Sequence, residues 1–430
     1  MFYRDGLVSA ALHKVDGIDR VIPASETLLN ISGTAESLGV TRLADITGLD
    51  RVGIPVFTAV VPKSDDIISV YNGKGRRPID AKVGALMEAI ERQTALRARL
   101  PMVEGSFANL SRSCNVLDPT SVNQELSEDY SEDGSYRWVQ GIDIVTDAII
   151  LVPADLAGYR WNAFLPRRCF NRNDANGLAS GNCREEAICH ALCELVERDA
   201  WTMAEIGAHQ LPRARRSLAF GPNARNGSDD LDLFPTIHAD ENELVQKFYE
   251  ADLFPVIHLI TSEIGVPTII AAVAEECIPG FPMVHAGLGT HPDASVALMR
   301  ALTELAQSRC VDIQGVREDL KLSTIAPTRF PTHTRRASAI DPTSWLIGQS
   351  EKRTQMNEVV SHRFGAIQED ITFLIDRLVA KGLKQIIVVE FPSGCAGCSV
   401  VRVIVPGTEF WAIGQRRLGP RALAYWRSHL

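Results

Sequence analysis

The chain has 430 residues, of which 45% are hydrophobic and 23% are charged, and its formal net charge is −9 at pH 7. These values are typical of a globular protein with a large core. The acidic balance without a long basic tract argues against nucleic-acid binding, and no apolar run reaches the length of a membrane span. Because the N-terminus also lacks an apolar signal core, we expect a cytoplasmic protein.

Strands and long helices alternate along the chain. The predicted strands span residues 54–61, 66–71, 137–145, 148–153, 255–261, 268–274, 385–391 and 399–405. The predicted long helices span residues 80–99, 184–204 and 292–309, the last with Pro292 and Asp293 in its first turn. Repeated strand–strand–helix units imply an α/β (α+β) fold with helices on mixed sheets.

Three stretches interrupt this alternation and are predicted to be surface insertions of one domain that spans residues 1–430. Residues 117–135 are acidic and polar, and residues 207–240 contain a Gly/Asn/Asp run. Residues 321–345 hold several prolines and show little periodicity.

One octapeptide pattern occurs on two of the predicted helices and nearly recurs on the third. Residues 85–92 read Ala-Leu-Met-Glu-Ala-Ile-Glu-Arg, residues 191–198 read Ala-Leu-Cys-Glu-Leu-Val-Glu-Arg, and residues 301–307 read Ala-Leu-Thr-Glu-Leu-Ala-Gln. The oxygen-bearing side chains lie three residues apart and share a helix face in each case: Glu88 with Glu91, Glu194 with Glu197, and Glu304 with Gln307. If these pairs meet in one cavity, they form a site for a hard cation such as Mg²⁺.

An ordinary surface explanation exists for each helix taken alone. Glu88 and Arg92 are four residues apart, as are Glu194 and Arg198, and such Glu–Arg pairs are common on solvated helices. The recurrence of the same order of charges at three distant places favours the metal site.

A short glycine-rich segment precedes each of these helices: Gly73-Lys74-Gly75, residues 176–182 and residues 287–291. Glycine lets backbone approach a ligand closely, and Lys74 is long enough to reach a phosphate. The chain contains neither a Walker A pattern nor a GxGxxG that opens a helix after a strand. A bound nucleotide would therefore need a different cradle.

The nine cysteines are unevenly spaced and do not resemble a disulfide framework. Cys189 and Cys193 lie four apart on the second helix, where packing as small hydrophobes is the simplest interpretation. Cys395 and Cys398 form a lone CxxC without a second pair nearby, which favours a turn over a zinc or redox motif.

Four ordered motifs resemble the YcaO family. Residues 176–201 are similar to its signature segment, and residues 73–92, 41–55 and 301–317 resemble its other motifs. The resemblance runs from about residue 10 to residue 410. It implies a YcaO-like fold in which three motif-bearing helices surround a central site for ATP and Mg²⁺.

Family members use ATP to phosphorylate a backbone amide oxygen of a peptide or protein. An internal Cys, Ser or Thr then gives an azoline, external sulfide gives a thioamide, and an amine gives an amidine. This chemistry requires an enzyme that holds a polyphosphate, metal ions and a peptide together.

The resemblance also implies roles for individual residues. The metal ligands would be Glu88, Glu91, Glu186, Glu194 and Glu197. The nucleotide contacts would be Lys74, Glu88, Glu91, Asn182, Glu186, Arg198, Gln307 and Arg309, with further contacts from Lys14, Arg20 and Arg317. The residues that act in catalysis would be Glu194, Glu197 and Arg198.

Two departures from the family pattern bear on the reaction. Gly84 stands where the first motif usually has serine, and the end of the chain lacks the proline-rich tail of azoline-forming members. Residues 405–409 instead resemble the tail of members that form thioamides with a TfuA-like partner. We therefore expect thioamide formation, with azoline formation as the rival reaction. A homodimer is expected only because it is the commonest oligomer symmetry.

A protein of another class, a non-catalytic scaffold that binds nucleotide for a partner enzyme, would also fit the resemblance. The retained glutamates argue against a scaffold, because it has no need of several costly carboxylates in one cavity.

Overall fold

The computed structural model describes residues 11–15, 19–66, 68–161, 165–171, 174–210, 234–278, 281–315, 345–348, 350–394, 397–414 and 417–429. Within these ranges, no helix has both the length and the apolar character needed to cross a membrane.

Three long helices carry the repeated motif, and seven other α-helices are described. In chain order the helices are α1 (Ala24–Ser37), α2 (Pro78–Arg97), α3 (Phe107–Leu110), α4 (Ala154–Ala157), α5 (Arg184–Glu205), α6 (Glu243–Glu250), α7 (Ala294–Gly315), α8 (Ile367–Ala380), α9 (Trp411–Gly414) and α10 (Pro420–His429). The motif helices are α2, α5 and α7.

The strands are mostly short. They are β1 (Arg42–Asp45), β2 (Val56–Val60), β3 (Val70–Lys74), β4 (Val103–Gly105), β5 (Tyr136–Asp143), β6 (Ala148–Pro153), β7 (Leu178–Gly181), β8 (Thr236–His238), β9 (Val256–Leu259), β10 (Thr268–Ile278), β11 (Phe281–Thr290), β12 (Arg353–Gln355), β13 (Ile387–Phe391) and β14 (Ser399–Ile404).

These strands form three sheets, with the orders β1-β2-β3, β11-β10-β9-β8-β12 and β4-β5-β13-β14-β7, and β6 pairs with β5. Strand pairing is antiparallel except between β8 and β12. Among the described strands, β3, β7 and β11 each lie at a sheet edge, and each leads directly into a motif helix.

Local signals fix where two motif helices begin. Pro78 occupies the first turn of α2, where its missing N–H costs nothing, and the Arg77 N–H donates to the Asp80 carboxylate at 3.2 Å. In α7 the Ser295 N–H donates to Asp293 Oδ1 at 2.9 Å. Asp293 therefore caps this helix from just outside it.

Hydrophobic layers between helices and sheets hold the site in place. Helix α2 packs on β2 and β3, α5 packs on β7 and β14, and α7 packs on β10 and β11. Helix α8 packs against α5, with Ile188, Leu192 and Leu374 fully buried in this layer. Each motif helix thus has one face in a core and another face free to carry polar groups.

The predicted fold class is confirmed, but several boundaries were wrong. The second predicted strand, residues 66–71, lies instead at Val70–Lys74 (β3), so Lys74 is the last residue of a strand. Most of the glycine-rich residues at 176–182 and 287–291 belong to β7 and β11. Glycine weakens strand propensity, but packing against the following helix outweighs this preference.

The predicted insertions are described only in part. Residues 211–233 and 321–344, the larger parts of two of them, lie outside the described residues. Residues 236–238 were wrongly assigned to an insertion, because they form β8. Residues 117–135 contain no long element, although Leu117 and Val122 are buried.

Candidate nucleotide and metal site

The three edge strands converge on one cavity of about 1430 Å³. Residues 70–75 of the β3 region, Ser180 of β7 and Leu288 of β11 line it together with polar side chains of α2, α5 and α7. Motif segments more than one hundred residues apart in sequence therefore share one chamber.

Glycines allow each motif helix to lie close to its edge strand. A Cβ on Gly73 would lie 2.0 Å from the Ala85 nitrogen, and one on Gly289 would lie 2.0 Å from the Ala297 oxygen. Any larger residue would push the helix away from the strand. These glycines therefore serve the packing of helix on strand, which corrects the interpretation that they let the backbone approach a ligand.

Helices α2 and α5 bring three carboxylates to one side of the cavity. Glu91 is buried and accepts a hydrogen bond from Ser180 Oγ at 3.2 Å, and Arg92 lies 2.9 Å from Glu88 and 3.6 Å from Glu91. Burial, assisted by the charges of Glu88 and Glu194, raises the pKa of Glu91 well above its ordinary value. Burial likewise raises the pKa of Glu194.

Helices α5 and α7 supply the neighbouring group of charges. Arg198 lies 3.5 Å from Glu197 and 3.7 Å from Glu194, and Lys74 of β3 forms an ion pair with Glu304. Burial raises the pKa of Glu197 to about 7, although Arg198 opposes this shift. Burial also acts to raise the pKa of Glu304, but Lys74 and Arg198 outweigh it and lower that pKa.

This part of the cavity has more acids than bases. Its lining carboxylates are Glu88, Glu91, Glu194, Glu197 and Glu304, and its lining cations are Lys74, Arg92 and Arg198, with Arg300 also acting on Glu197. Burial raises the pKa values of Glu91, Glu194 and Glu197, and the neighbouring arginines do not fully offset it. Divalent cations would supply positive charge, and the lysine and arginines would hold phosphates, so these side chains fit a metal–polyphosphate complex.

Glu186 differs from the other predicted metal ligands. Its carboxylate accepts hydrogen bonds from the Val21 N–H at 2.7 Å, the Asn182 N–H at 2.9 Å and Asn182 Nδ2 at 2.8 Å. Asn182 Oδ1 in turn accepts a hydrogen bond from Thr27 Oγ1 at 2.8 Å. Because both of its oxygens are engaged, this geometry favours Glu186 as a residue that positions Asn182 and the N-terminal segment.

The N-terminal segment closes one end of the cavity. Lys14 and Arg20 both line it, and Lys14 Nζ lies 2.7 Å from Asp19 and 2.5 Å from Asp370 of α8. The nearby ligand atoms of Cys189, His291 and Asp370 all lie within 4.8 Å of one another.

This second cluster already contains a cation, Lys14, although burial raises the pKa of Asp370 to about 7. The Asp293 N–H donates to His291 Nδ1 at 3.0 Å, which leaves Nε2 to carry the ring proton 2.9 Å from Asp19. The ammonium of Lys14 lies between Asp19 and Asp370, and burial lowers the pKa of His291 and so favours its neutral form. A divalent ion at Cys189 would therefore have to compete with Lys14 for Asp370.

Sequence reasoning missed several cavity residues. His190 and Arg300 line the cavity, and neither was assigned a role, although each lies four residues before a motif glutamate on the same helix face. Burial, assisted by the charges of Arg300, Arg20 and Lys74, lowers the pKa of His190 to about 3. The imidazole is therefore neutral inside a cationic part of the cavity.

The prediction for Arg309 was wrong. Arg309 does not line the cavity, and its guanidinium is buried between Asp50, at 2.8 and 2.9 Å, and Glu275, at 2.7 Å. Arg309 follows Gln307 by two positions, or about 200° around the helix, and therefore faces away from it. Its role is to hold α7 against the segment that precedes β2.

The remaining predicted residues fall into two groups. Gln307 lines the cavity, and its nucleotide contact stays a prediction. Arg317 and Cys395 lie outside the described residues, and Cys398 is buried with its sulfur 4.0 Å from Met87 Sδ.

The segment at residues 405–409 lies outside this cavity lining and anchors the C-terminal helix. Glu409 is buried and accepts hydrogen bonds from the N–H groups of Gly419 and Ala422 at 2.8 and 3.0 Å, at the start of α10. Its own N–H donates to Asp199 of α5 at 3.0 Å, and Asp199 also pairs with Arg421. The segment thus links α10 to the motif helix.

Comparison with known proteins agrees with this geometry. Residues 72–409 match the family model described as YcaO cyclodehydratase, ATP- and Mg²⁺-binding. An uncharacterized protein of Methanothermobacter thermautotrophicus is 34% identical over 406 residues, which cover 94% of this chain and 98% of that protein. A Rhizobium leguminosarum bv. trifolii protein, described by its position in the tfuA 3' region, is 32% identical over 412 residues, which cover 94% of this chain and 92% of that protein.

A solved structure shows the same fold. YcaO from Methanopyrus kandleri, bound with AMPPCP and Mg²⁺, superposes with a TM-score of 0.68 at 23% identity and covers 96% of this chain and 98% of that chain. The family match spans all three motif helices and the carboxylates that they bring together. The chain therefore belongs to the YcaO family, whose members are ATP-dependent enzymes, and its cofactors are ATP and Mg²⁺.

Proposed function

We propose that this protein uses ATP to phosphorylate a backbone amide oxygen of a peptide or protein, and that sulfide then converts this amide into a thioamide with the help of a TfuA-like partner. The observation that carries the proposal is the carboxylate cluster, in which Glu91, Glu194 and Glu197 have raised pKa values beside Lys74 and Arg198. The tfuA-region relative supports sulfide as the nucleophile.

The atoms balance as follows. The amide oxygen takes the γ-phosphoryl group of ATP, and ADP leaves. Hydrosulfide adds to the amide carbon, the C–O bond breaks, and phosphate departs with the former amide oxygen. Loss of one proton leaves the C=S bond.

The residues of this chain would orient and stabilise these steps. Bound Mg²⁺ would supply positive charge to the phosphates, and we assign its retention to Glu88, Glu91, Glu194 and Glu197. Arg198 offers a bidentate fork and Lys74 a point charge to the phosphoryl oxygens, whose charge develops during transfer.

Azoline formation is the second candidate, because the matching family model is described as a cyclodehydratase. In that reaction a substrate Cys, Ser or Thr side chain replaces sulfide as the nucleophile. The phosphorylated-amide step and the roles of the glutamates are the same in both reactions.

Mass spectrometry of the modified peptide separates these reactions. The gene and its chromosomal neighbours are expressed together, with Glu194→Gln as the matched inactive variant, and peptides that differ between the two cultures are fragmented. We expect a mass increase equal to the difference between sulfur and oxygen. Loss of one water would favour azoline formation, and an absence of any change alongside ATP binding would favour a scaffold.

A further inference from the structure

The outer edge of β3 carries unpaired backbone groups. The Val61 N–H donates to the Ser69 carbonyl at 2.8 Å, and the Gly75 N–H donates to the Pro55 carbonyl at 3.3 Å, so alternate residues 69, 71, 73 and 75 face β2. The N–H and C=O groups of Val70, Asn72 and Lys74 then face the other way. No residue that the structure describes forms a hydrogen bond with them.

The other two edge strands of the cavity differ from β3. On β7, the Leu178 N–H donates to the Ala175 carbonyl at 2.9 Å. On β11, the Leu288 N–H donates to Glu304 at 3.4 Å. Folded proteins normally cover such edges, so an uncovered edge beside a cavity is suited to a strand-like ligand.

The free edge of β3 leads directly to the charged side chains. Val70, Asn72 and Lys74 all line the cavity, and Lys74 forms the ion pair with Glu304. The charges of Lys74 and Glu304 act on Glu197. A backbone that follows β3 would therefore bring one of its amides to the end of the strand where the phosphate-binding groups lie.

We propose that the substrate is an extended peptide segment that binds as an additional strand on the outer edge of β3. This inference rests on the proposed function, since it assigns the binding mode of the peptide whose amide is activated. The N–H and C=O groups of Val70, Asn72 and Lys74 pair with alternate residues of the peptide. The amide next in line, beyond Lys74, is the one presented for phosphorylation.

This mode of binding recognises backbone and not side chains. Val70 to Lys74 spans about 14 Å at roughly 3.4 Å per residue, so the contact involves about five peptide residues. Every second residue of that segment must keep its N–H, because its hydrogen points to β3. Proline or an N-methyl group at these positions blocks binding, whereas the intervening positions tolerate them.

A pair of variants isolates the backbone contribution. Asn72→Pro removes the outward N–H without removing a hydrogen bond between β2 and β3. Asn72→Ala keeps that N–H. Both variants lose the Asn72 side chain, which accepts a hydrogen bond from Thr58 Oγ1 at 2.7 Å. Thermal unfolding of both variants checks that they fold. The probe is a set of 12-residue peptides selected from a random mRNA-display library on the wild-type protein with AMPPCP and Mg²⁺.

Fluorescence anisotropy of the selected peptides provides the first readout. We expect Asn72→Pro to bind about tenfold more weakly than Asn72→Ala, because a peptide carbonyl loses its donor. An N-methyl scan of the peptides on wild-type protein is the second readout and is independent of how well the proline variant folds. We expect affinity to fall at every second position over about five residues.

Equal affinity of the two variants together with no alternation in the scan would overturn the proposal, as would a library that yields no binding peptide. Alternation without ATP-dependent modification of any peptide would support the β3 site and remove the proposed function. Modification without alternation would retain the function and remove the β3 site.

Discussion

Two clusters of buried charge lie along the motif helices, and their carboxylates behave in opposite ways. In the Arg309 cluster, the Arg309 guanidinium pairs with Asp50 and Glu275. Arg309 and Arg51 together lower the pKa of Glu275, although burial acts to raise it. In the glutamate cluster of the cavity, burial and like charges raise the pKa values of Glu91 and Glu197. The first cluster is complete, and the second lacks positive charge.

This difference separates a structural ion pair from a binding site. A buried carboxylate that already has its partner holds elements together and gains nothing from a ligand. A group of carboxylates with raised pKa values is destabilising until cations arrive, so evolution keeps it only where binding offsets the cost. The following variants test this distinction, from the largest expected effect to the smallest.

Removal of one glutamate from the cavity should abolish turnover. We expect Glu194→Ala or Glu197→Ala to lower ATP hydrolysis by at least about a hundredfold, because a metal ligand is lost while the helix stays intact. The measurement is ADP release, with circular dichroism as the check on folding. Glu125→Ala, in the exposed acidic stretch, should retain wild-type activity, and comparable activity in the cavity variants would contradict the metal-site assignment.

Disruption of the Arg309 cluster should affect stability and leave binding intact. Arg309→Met removes the cation that pairs with the buried Asp50 carboxylate, while Glu275 keeps Arg51, and it should lower the free energy of unfolding by about 3–5 kcal/mol. Nucleotide affinity, measured at a temperature where the variant remains folded, should not change. The exposed pair of Arg76 and Glu243 gives the control, since Arg76→Met should cost less than about 1 kcal/mol. A selective loss of nucleotide affinity in Arg309→Met would restore the original prediction for this residue.

Replacement of Arg198 by lysine should weaken phosphate binding while preserving its charge. We expect Arg198→Lys to reduce nucleotide affinity about tenfold, because an ammonium cannot replace a bidentate guanidinium. Arg184→Lys is the matched change on the same helix, since Arg184 pairs with Glu390 and does not line the cavity. If both variants bind nucleotide like the wild type, Arg198 acts only as an i,i+4 partner of Glu194.

The pH dependence of stability should reveal the strain at Glu197. Its pKa is raised from 4.5 to about 7 in the folded protein, so the cost of ionising it is absent below pH 4.5 and complete above pH 7. Glu197→Gln should therefore stabilise the nucleotide-free protein at pH 8 by on the order of 1–3 kcal/mol and change little at pH 4. Denaturant unfolding at the two pH values measures this difference.

Glu304→Gln provides the opposite case. The pKa of Glu304 is lowered by Lys74 and Arg198 despite burial, so its ionised form contributes stability above its ordinary pKa, and that contribution is lost as pH falls through the lowered value. This variant should be destabilised at pH 8. Stabilisation of both variants, or of neither, would show that the two glutamates do not differ in their surroundings.

Much of the site could be predicted from local sequence. The three motif helices and the shared face of each glutamate pair follow from helical periodicity, and the repeated order of residues pointed to one cavity. The offset of Arg309 from Gln307 was also readable, because two positions along a helix turn a side chain to the opposite face. The prediction for Arg309 failed because it relied on the residue types of the motif and ignored the angular position of each side chain around the helix.

Other features depend on contacts that local patterns do not contain. The hydrogen bonds of Glu186 come partly from Val21, which is far away in sequence. The assignment of Lys74 to a strand follows from the pairing of Val56 with Lys74 and from a helix that needs Gly73 beneath it. Such tertiary contacts override the weak strand propensity of glycine.

Calorimetry of nucleotide binding tests the central claim most directly. The complex of AMPPCP and Mg²⁺ is titrated into the wild-type protein at pH 7 in buffers with different ionisation enthalpies, which gives the number of protons released on binding. Because the pKa of Glu197 is about 7, this carboxyl is partly protonated at pH 7 and a metal ion would displace its proton, so we predict net proton release, and Glu197→Gln should reduce it. Tight binding without any proton release would contradict the claim that these carboxylates receive the metal.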